Sequence, residues 1–519
     1  MSSRSSTVSE KSRDEKGIKG AVESGIEKGS ESGDEKGIER GIGSNSCEQD
    51  GDVPYEKQWY DKQILSWVPP FSYSTSQIVL LSFVCFMSTG LYNSLSGLGG
   101  AGIDDINVAN NANVALYCTF ATVGFFAGTI CNTLGIKFCL AFGASGYTLY
   151  SGSLLCWNKT SNAGFVIFSG ALLGVCAACL WAAQGTIIMS YPPEHRKGRA
   201  IMIFWIIFNM GAVIGLIISL ANNIHSVQSL VSDTTFAIFI ALMGLGILLA
   251  LLLLPIHLVW RDHVGGERVY VKEYPNWKKE LVQLFKTLYR EPRVFLIFPM
   301  CFASNWFYTY QFNDVNAGRF NIRTRSLNSL LYWIMQLVGA ILFGGLLDWK
   351  RFDRKTRAKL GWAALFILTM AIWGAGLKFQ LLFTRESVKD MTPIDFTDSN
   401  YVGPVILYVF YGIYDAVWQT YIYYLLGALS NSPKKAALYG AMYKGIQSAG
   451  AAIAWRLDYY EIPYLNMFGS CWGLLGGSLL IAAPLVFFRI ENHTIEEEDD
   501  INLTLTGAKS ESVHIERAA

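Results

Sequence analysis

The chain has 519 residues, 51% hydrophobic and 14% aromatic, with only 16% charged and a net charge of +1. A soluble protein of this length carries more charge, and no basic domain is present to engage nucleic acid. The composition is that of a protein embedded in a lipid bilayer.

Residues 1–75 are rich in Gly, Ser, Glu and Lys, and repeat Asp14-Glu15-Lys16-Gly17-Ile18 as Asp34-Glu35-Lys36-Gly37-Ile38. They are predicted to be a disordered tail, because so little apolar surface cannot offset the entropy of ordering. Twelve apolar spans follow, at 76–97, 113–134, 138–156, 164–190, 200–220, 235–260, 293–315, 327–347, 360–384, 403–427, 436–455 and 465–488. About 20 apolar residues cross a hydrocarbon core of roughly 30 Å. These runs must be helical, since in lipid only helices and closed barrels satisfy their own backbone and the runs are too long for barrel strands. The expected fold is an all-α multi-pass membrane protein of twelve transmembrane helices. Residues 76–260 and 293–488 form two six-helix bundles, 261–292 the central cytosolic loop and 489–519 an acidic cytosolic tail.

Lys and Arg collect in alternate loops: Lys137, then Arg196, Lys197 and Arg199, then the basic stretch 261–292, the run from Lys350 to Lys359, and Lys434 with Lys435. The opposite loops carry fewer. The positive-inside bias predicts both termini in the cytosol. Nine of the ten cysteines lie in or beside spans, where cysteine is a packing residue. There is no mid-span His, metal-ligand cluster or phosphate loop, so no cofactor and no enzymatic activity are expected.

A short pattern occurs twice. Cys85-Phe86-x-Ser88 with Tyr92, then Asn113, Tyr117 and Gly124, returns about 215 positions later as Cys301-Phe302-x-Ser304 with Tyr308, then Asn328, Tyr332 and Gly339. Two related halves around a central site are an architecture of secondary transporters.

Charges in mid-span are costly and usually functional. Asp415 and Lys444 fall at similar depths in consecutive, oppositely running spans, and are predicted to meet near the midplane. Tyr408, Tyr411, Trp418 and Gln419 share the face of Asp415, and Gln447, Ser448 and Ala451 that of Lys444. This set is the candidate substrate or proton site; its alternative is a buried ion pair that locks two helices. Further polar stripes comprise Asn305, Tyr308, Gln311 and Phe312, then Tyr332, Gln336 and Gly339. Ser88, Tyr92 and Ser96 mark the first half, with Trp181, Gln184, Trp205 and Asn209. Aromatic cages with a few polar groups suit small amphipathic or cationic ligands. Arg319, Arg323 and Arg325 run against the charge bias, and are read as an outer gate paired with Asp314, Asp104 or Asp105.

Gly344-x-x-x-Asp348-x-Lys350-Arg351 resembles the cytoplasmic loop motif of the major facilitator superfamily. In that family the acid and the basic residues latch the inner face, which implies gate roles for Asp348 and Arg351. The duplicate at Asn132–Lys137 has Thr133 where the acid would stand. Tyr92-Asn93-Ser94-Leu95-Ser96-Gly97-Leu98-Gly99-Gly100, Leu134-Gly135-Ile136-Lys137, Gly146-Tyr147-x-Leu149-Tyr150 and Arg323-Thr324-Arg325-x-Leu327-Asn328-x-x-x-Tyr332-Trp333-x-x-Gln336 resemble fungal members of the UNC93-like branch. The resemblance implies a cavity lined by the first, fourth, seventh and tenth helices. Two functional readings follow: a secondary active transporter of a small solute working by alternating access, with Asp415 as candidate proton carrier, or a non-transporting regulator or chaperone of another membrane protein or channel.

Overall fold

A computed structural model describes residues 58–63, 69–192, 197–225, 231–260, 277–349, 351–429 and 433–492. The predicted tails at 1–57 and 493–519, the loop residues 261–276, and Arg196 and Lys350 lie outside the described residues.

The described residues are almost entirely helical. α1 (Ser74–Cys85) runs through a π-helical turn, Phe86–Gly90, into α2 (Leu91–Gly97), and α3 (Ile106–Val123) is followed by α4 (Ala127–Leu134). α5 (Ile136–Thr160), α6 (Ala163–Ser190), α7 (Lys197–Asn223) and α8 (Asp233–Leu252) complete the first half. After α9 (Trp277–Arg290) the seventh span is broken into a 3-10 turn, α10 (Phe298–Ala303), α11 (Trp306–Thr309) and a π-helical segment, Tyr310–Ala317. α12 (Ile322–Leu347), α13 (Arg354–Gln380), α14 (Val402–Leu429), α15 (Pro433–Tyr459) and α16 (Tyr464–Phe488) follow. Among the described residues, seven helical stretches are long and apolar enough to cross a membrane by length and composition alone. Helices also occupy the remaining predicted spans.

Helix starts differ most from expectation where a polar cap precedes the apolar run. α3 begins at Ile106 instead of 113 because the Asp105 carboxylate accepts from the amides of Asn107 (2.9 Å) and Val108 (3.2 Å). Asn321 caps α12 through Thr324 N (3.1 Å) and Asp353 caps α13 through Thr356 N (3.3 Å), moving those starts forward from 327 and 360. Such caps satisfy orphan donors of the first turn, and they are invisible to a hydropathy window.

Two further segments, the expected N-terminal tail and the central loop, contain ordered structure among their described residues. The described residues from 58 to 75 are built against the end of the first half: Trp260 N donates to Ser72 O and Ser74 N to Trp260 O (2.9 Å each), while Trp260 Nε1 reaches Asp61 Oδ1 (3.1 Å). The central loop contains the helix α9.

Within the first half α5 packs on α6 and α8, and α3 on α6; within the second α12 packs on α14, and α13 on α14 and α16. The halves meet where α15 lies along α3 and α12 along α7.

Candidate functional site

Asp415 lies mid-way along α14 with no solvent exposure. The break in the seventh span, where Asn305 leaves helical geometry at φ −120° and ψ 5°, aims Tyr308 at it. Tyr308 Oη donates to Asp415 Oδ2 (2.9 Å), as do Tyr332 Oη (3.1 Å) and Gln336 Nε2 from α12, while Gln419 Nε2 donates to Oδ1 (2.8 Å). Four neutral donors on three elements thus satisfy one buried carboxylate. This is what an isolated charge in a low-dielectric interior requires.

Lys444 is not among these partners, and no ion pair joins it to Asp415. Its ammonium donates to Gln447 Oε1 on its own helix (2.9 Å) and lies over the rings of Tyr443 (5.2 Å) and Tyr423 (6.0 Å). Gln447 Nε2 in turn reaches Asn305 Oδ1 (2.8 Å) and Ser304 Oγ (3.0 Å). The expected meeting of Asp415 and Lys444 does not occur, because the two side chains take different partners. The seventh span joins the two clusters, Ser304 and Asn305 bonding Gln447, which holds Lys444, and Tyr308 bonding Asp415.

Other candidates separate. Gln311 is fully buried; its Oε1 lies 3.2 Å from Tyr332 Oη and shares that one hydroxyl proton with Asp415, while its Nε2 has no protein partner, so it can take an acceptor from a ligand. Trp418 donates to Met300 O (3.2 Å), and Tyr411 packs on Trp373 at 5.5 Å, so both face the helix interior rather than Asp415. In the first half Tyr92 bonds Asn113 (3.3 Å) and lies edge-on to Tyr147 and Tyr150. Asn209 turns back to Trp205 O on its own helix (3.0 Å). Gln184, half-buried on α6, has no hydrogen bond to Asp415. The duplicated tyrosines have therefore parted in role, Tyr92 serving an asparagine and its counterpart Tyr308 a carboxylate.

The approach of α12 to α14 depends on Gly412. A Cβ there would stand 2.3 Å from Tyr332 O, so Gly412→Ala is expected to push the helices apart and draw the Tyr332 hydroxyl off Asp415. Overpacking of this kind costs about 1–3 kcal/mol, read as a lowered melting temperature in detergent alongside weakened function.

The gate expectations need correction. Asp348 and Arg351 are both exposed, and among the described residues neither forms an ion pair. The end of α12 is held instead by Arg357 Nη1 on Leu347 O (2.7 Å). At the opposite end Arg323 pairs with Asp395 (2.6 Å), Asp314 with Arg385 (3.3 Å), Asp104 accepts from Trp157 Nε1 (2.7 Å), and Asp105 is a helix cap. Arg319 lies over Phe383 (5.4 Å) without an ion pair.

That end is sealed by bonds between the halves that sequence reading did not identify. Arg325 donates through Nε to Leu98 O and through Nη2 to Gly99 O (2.7 Å each). Ser329 Oγ and Asn316 Nδ2 both reach Gly97 O (2.6 and 2.9 Å), and Asn313 accepts from Gly100 N (2.8 Å). Asn110 and Asn313 converge on Asp458 Oδ2 (2.8 and 2.9 Å). Gly99 adopts φ +75°, and a Cβ there would fall 2.0 Å from Phe312 O, so only glycine lets the two backbones close this tightly. These bonds lie at the end of the bundle opposite Ser74 and Phe488. The available signal was the polar run Asn313-Asp314-Val315-Asn316 inside an otherwise apolar span.

Asp395, in the loop beyond α13, is largely buried, which raises its affinity for a proton, yet bonds from Arg323, Asn321 and Thr397 outweigh this and hold it below the ordinary carboxylate range. A depressed group stabilises the fold above its unfolded value of about 3.9, and that stability is lost as pH falls through the native value. The thermal stability of the wild type should therefore drop more steeply below about pH 4 than that of Asp395→Asn; identical acid profiles would refute it.

The geometry defines a two-halved helical transporter fold with a buried polar site. The Major Facilitator Superfamily profile matches residues 78–455. Similarity to solved structures extends to a D-xylose-proton symporter (TM-score 0.52, 14% identity, 81% of this chain and 97% of that one) and to the nucleoside transporter NupG (TM-score 0.51, 16% identity, 80% and 100%), which supports the fold alone. An UNC93-like protein of Schizosaccharomyces pombe is 52% identical over 82% of this chain and 84% of its own length. UNC93-like protein 1 of Arabidopsis thaliana is 38% identical over 83% and 94%. The chain belongs to the major facilitator superfamily, in its UNC93-like branch.

Proposed function

We propose that the chain is a secondary active transporter of a small solute, working by alternating access and coupled to protons through Asp415. The observation that carries this reading is the concentration of the described cross-half hydrogen bonds at one end, with a polar site buried deeper in the bundle. With both termini cytosolic, as the loop charges indicate, the sealed end faces away from the cytosol and the site communicates inward. Neutral donors around Asp415 can solvate the carboxylate or let it take a proton with little rearrangement, and Gln311 Nε2 offers a free donor for solute. Untargeted metabolite profiling of cells with and without the chain, and with Asp415→Asn, tests the reading. The expected result is a solute whose distribution follows the wild type and not the variant. Loss or mislocalisation of another membrane protein, with metabolites unchanged, would establish the regulator or chaperone reading instead.

A further inference from the structure

We propose that Asp314 and Asp458 form a proton-binding site inside the seal, separate from Asp415, that holds one shared proton while this end is shut and releases it to water when the halves part. The inference rests on the alternating-access reading. Both carboxyls are buried, at 1% and 0% exposure. They converge on a single guanidinium: Arg385 Nη2 is 2.5 Å from Asp458 Oδ1 and 3.3 Å from Asp314 Oδ1. Two ionised acids against one cation would leave an uncompensated charge away from water, which is strongly unfavourable. Asp458 Oδ2 takes the two asparagine amides, whereas Asp314 Oδ2 is buried without any partner. The two carboxyls are brought together on the same guanidinium nitrogen. A proton on Asp314 supplies the donor that its orphan oxygen lacks and makes the triad neutral, as in other carboxyl pairs that share one proton.

The surroundings do not supply that charge in another way. Tyr310, Tyr464 and Cys471 are of types that carry no positive charge. Arg385 is stacked on Tyr464 at 4.3 Å. Arg319 lies over Phe383 and Arg456 bonds Asn111 Oδ1 (3.0 Å), and among the described residues the two acids form ion pairs with Arg385 alone. Glu461, on an exposed turn, adds further negative charge. Because Asn110 of the first half binds Asp458 of the second, parting the halves strips the pair of a donor and admits water. The sealed state therefore holds one proton more than the open one, so acid favours sealing and rising pH favours opening. The proton comes from, and returns to, the water on the opening side.

The test uses full-length protein in lipid nanodiscs with Ser326→Cys, whose parent hydroxyl faces Ser219 Oγ across the halves at 3.1 Å. Labelling by a membrane-impermeant thiol reagent is corrected for the native cysteines and normalised to an exposed reference thiol at Asn400→Cys. Between about pH 5 and pH 8 the normalised rate should rise roughly tenfold. With Asp314→Asn added it should stay low and flat, because the amide mimics the protonated acid, and Asp314→Glu should restore the rise. In the unmutated chain, dicyclohexylcarbodiimide, which modifies protonated buried carboxyls, should give an adduct at Asp314 or Asp458 near neutral pH. A rise that survives Asp314→Asn, or no adduct at either acid, refutes the proton site and leaves gating intact. A Ser326→Cys thiol that is silent at every pH refutes alternating access, and this proposal with it.

Discussion

Asp415→Asn is expected to remove the solute phenotype, by roughly a hundredfold or more, while leaving the protein folded. Asn keeps the volume and one acceptor, and the amide of Gln419 can turn to present its oxygen, so the cavity stays filled and mostly paired. What disappears is the group that can change charge, and with it any coupling to a gradient. Asp415→Ala should behave differently. It strands Tyr308, Tyr332, Gln336 and Gln419, and unpaired buried polar groups cost about 1–3 kcal/mol each. Even with partial re-pairing, a stability loss of at least about 3 kcal/mol is expected. Thermal melts of the two variants, set beside metabolite profiles, separate coupling from scaffolding. Full function in a stable Asp415→Asn protein would leave the carboxylate as a structural lock.

Arg325→Gln should open the sealed end. The guanidinium is 3% exposed and spans the halves with two charge-assisted bonds to backbone carbonyls, each worth about 1.5–3 kcal/mol. Glutamine is too short to reach both Leu98 O and Gly99 O. Loss of these bonds from the sealed state alone shifts the balance between the two states by roughly a hundredfold or more. Thiol accessibility at Ser326→Cys, or spin-label distances between α3 and α15 on the sealed side, would register the change. Unaltered accessibility would mean that the asparagine cluster holds the seal unaided.

How much of this was legible in the sequence depends on the kind of interaction. Long apolar runs report burial in lipid directly, so the spans and the repeat were readable, and Asp415 stood out because a mid-span acid is rare. Partner choice was not readable. Depth along a helix placed Lys444 level with Asp415, but the direction of a side chain around its helix, and its retreat onto Tyr443, are decided by packing. The outer arginines were found, yet their acids, Asp395 for Arg323 and none for Arg319, come from loops whose path no periodicity encodes. The caps at Asp105, Asn321 and Asp353 were readable by type and overlooked, because a hydropathy window averages them into the flanking loops. The repeat itself concealed a difference: Ser88 bonds its own helix at Val84 O (2.7 Å), whereas Ser304 bonds Tyr443.

The broken seventh span has a mechanical consequence. Tyr308 and Gln311, which serve Asp415 and its neighbour Tyr332, are followed within two residues by Asn313, and then by Asn316, which bond across the halves to Gly100 N and Gly97 O. The π-helical segment Tyr310–Ala317 lies between and within these groups. Returning one such turn to α-helical pitch moves a single residue through the bend and rotates everything beyond it by about 100°. Site and closure then share one short lever, and a change in what binds Asp415 can loosen the far contacts without any signal having to cross the rest of the bundle.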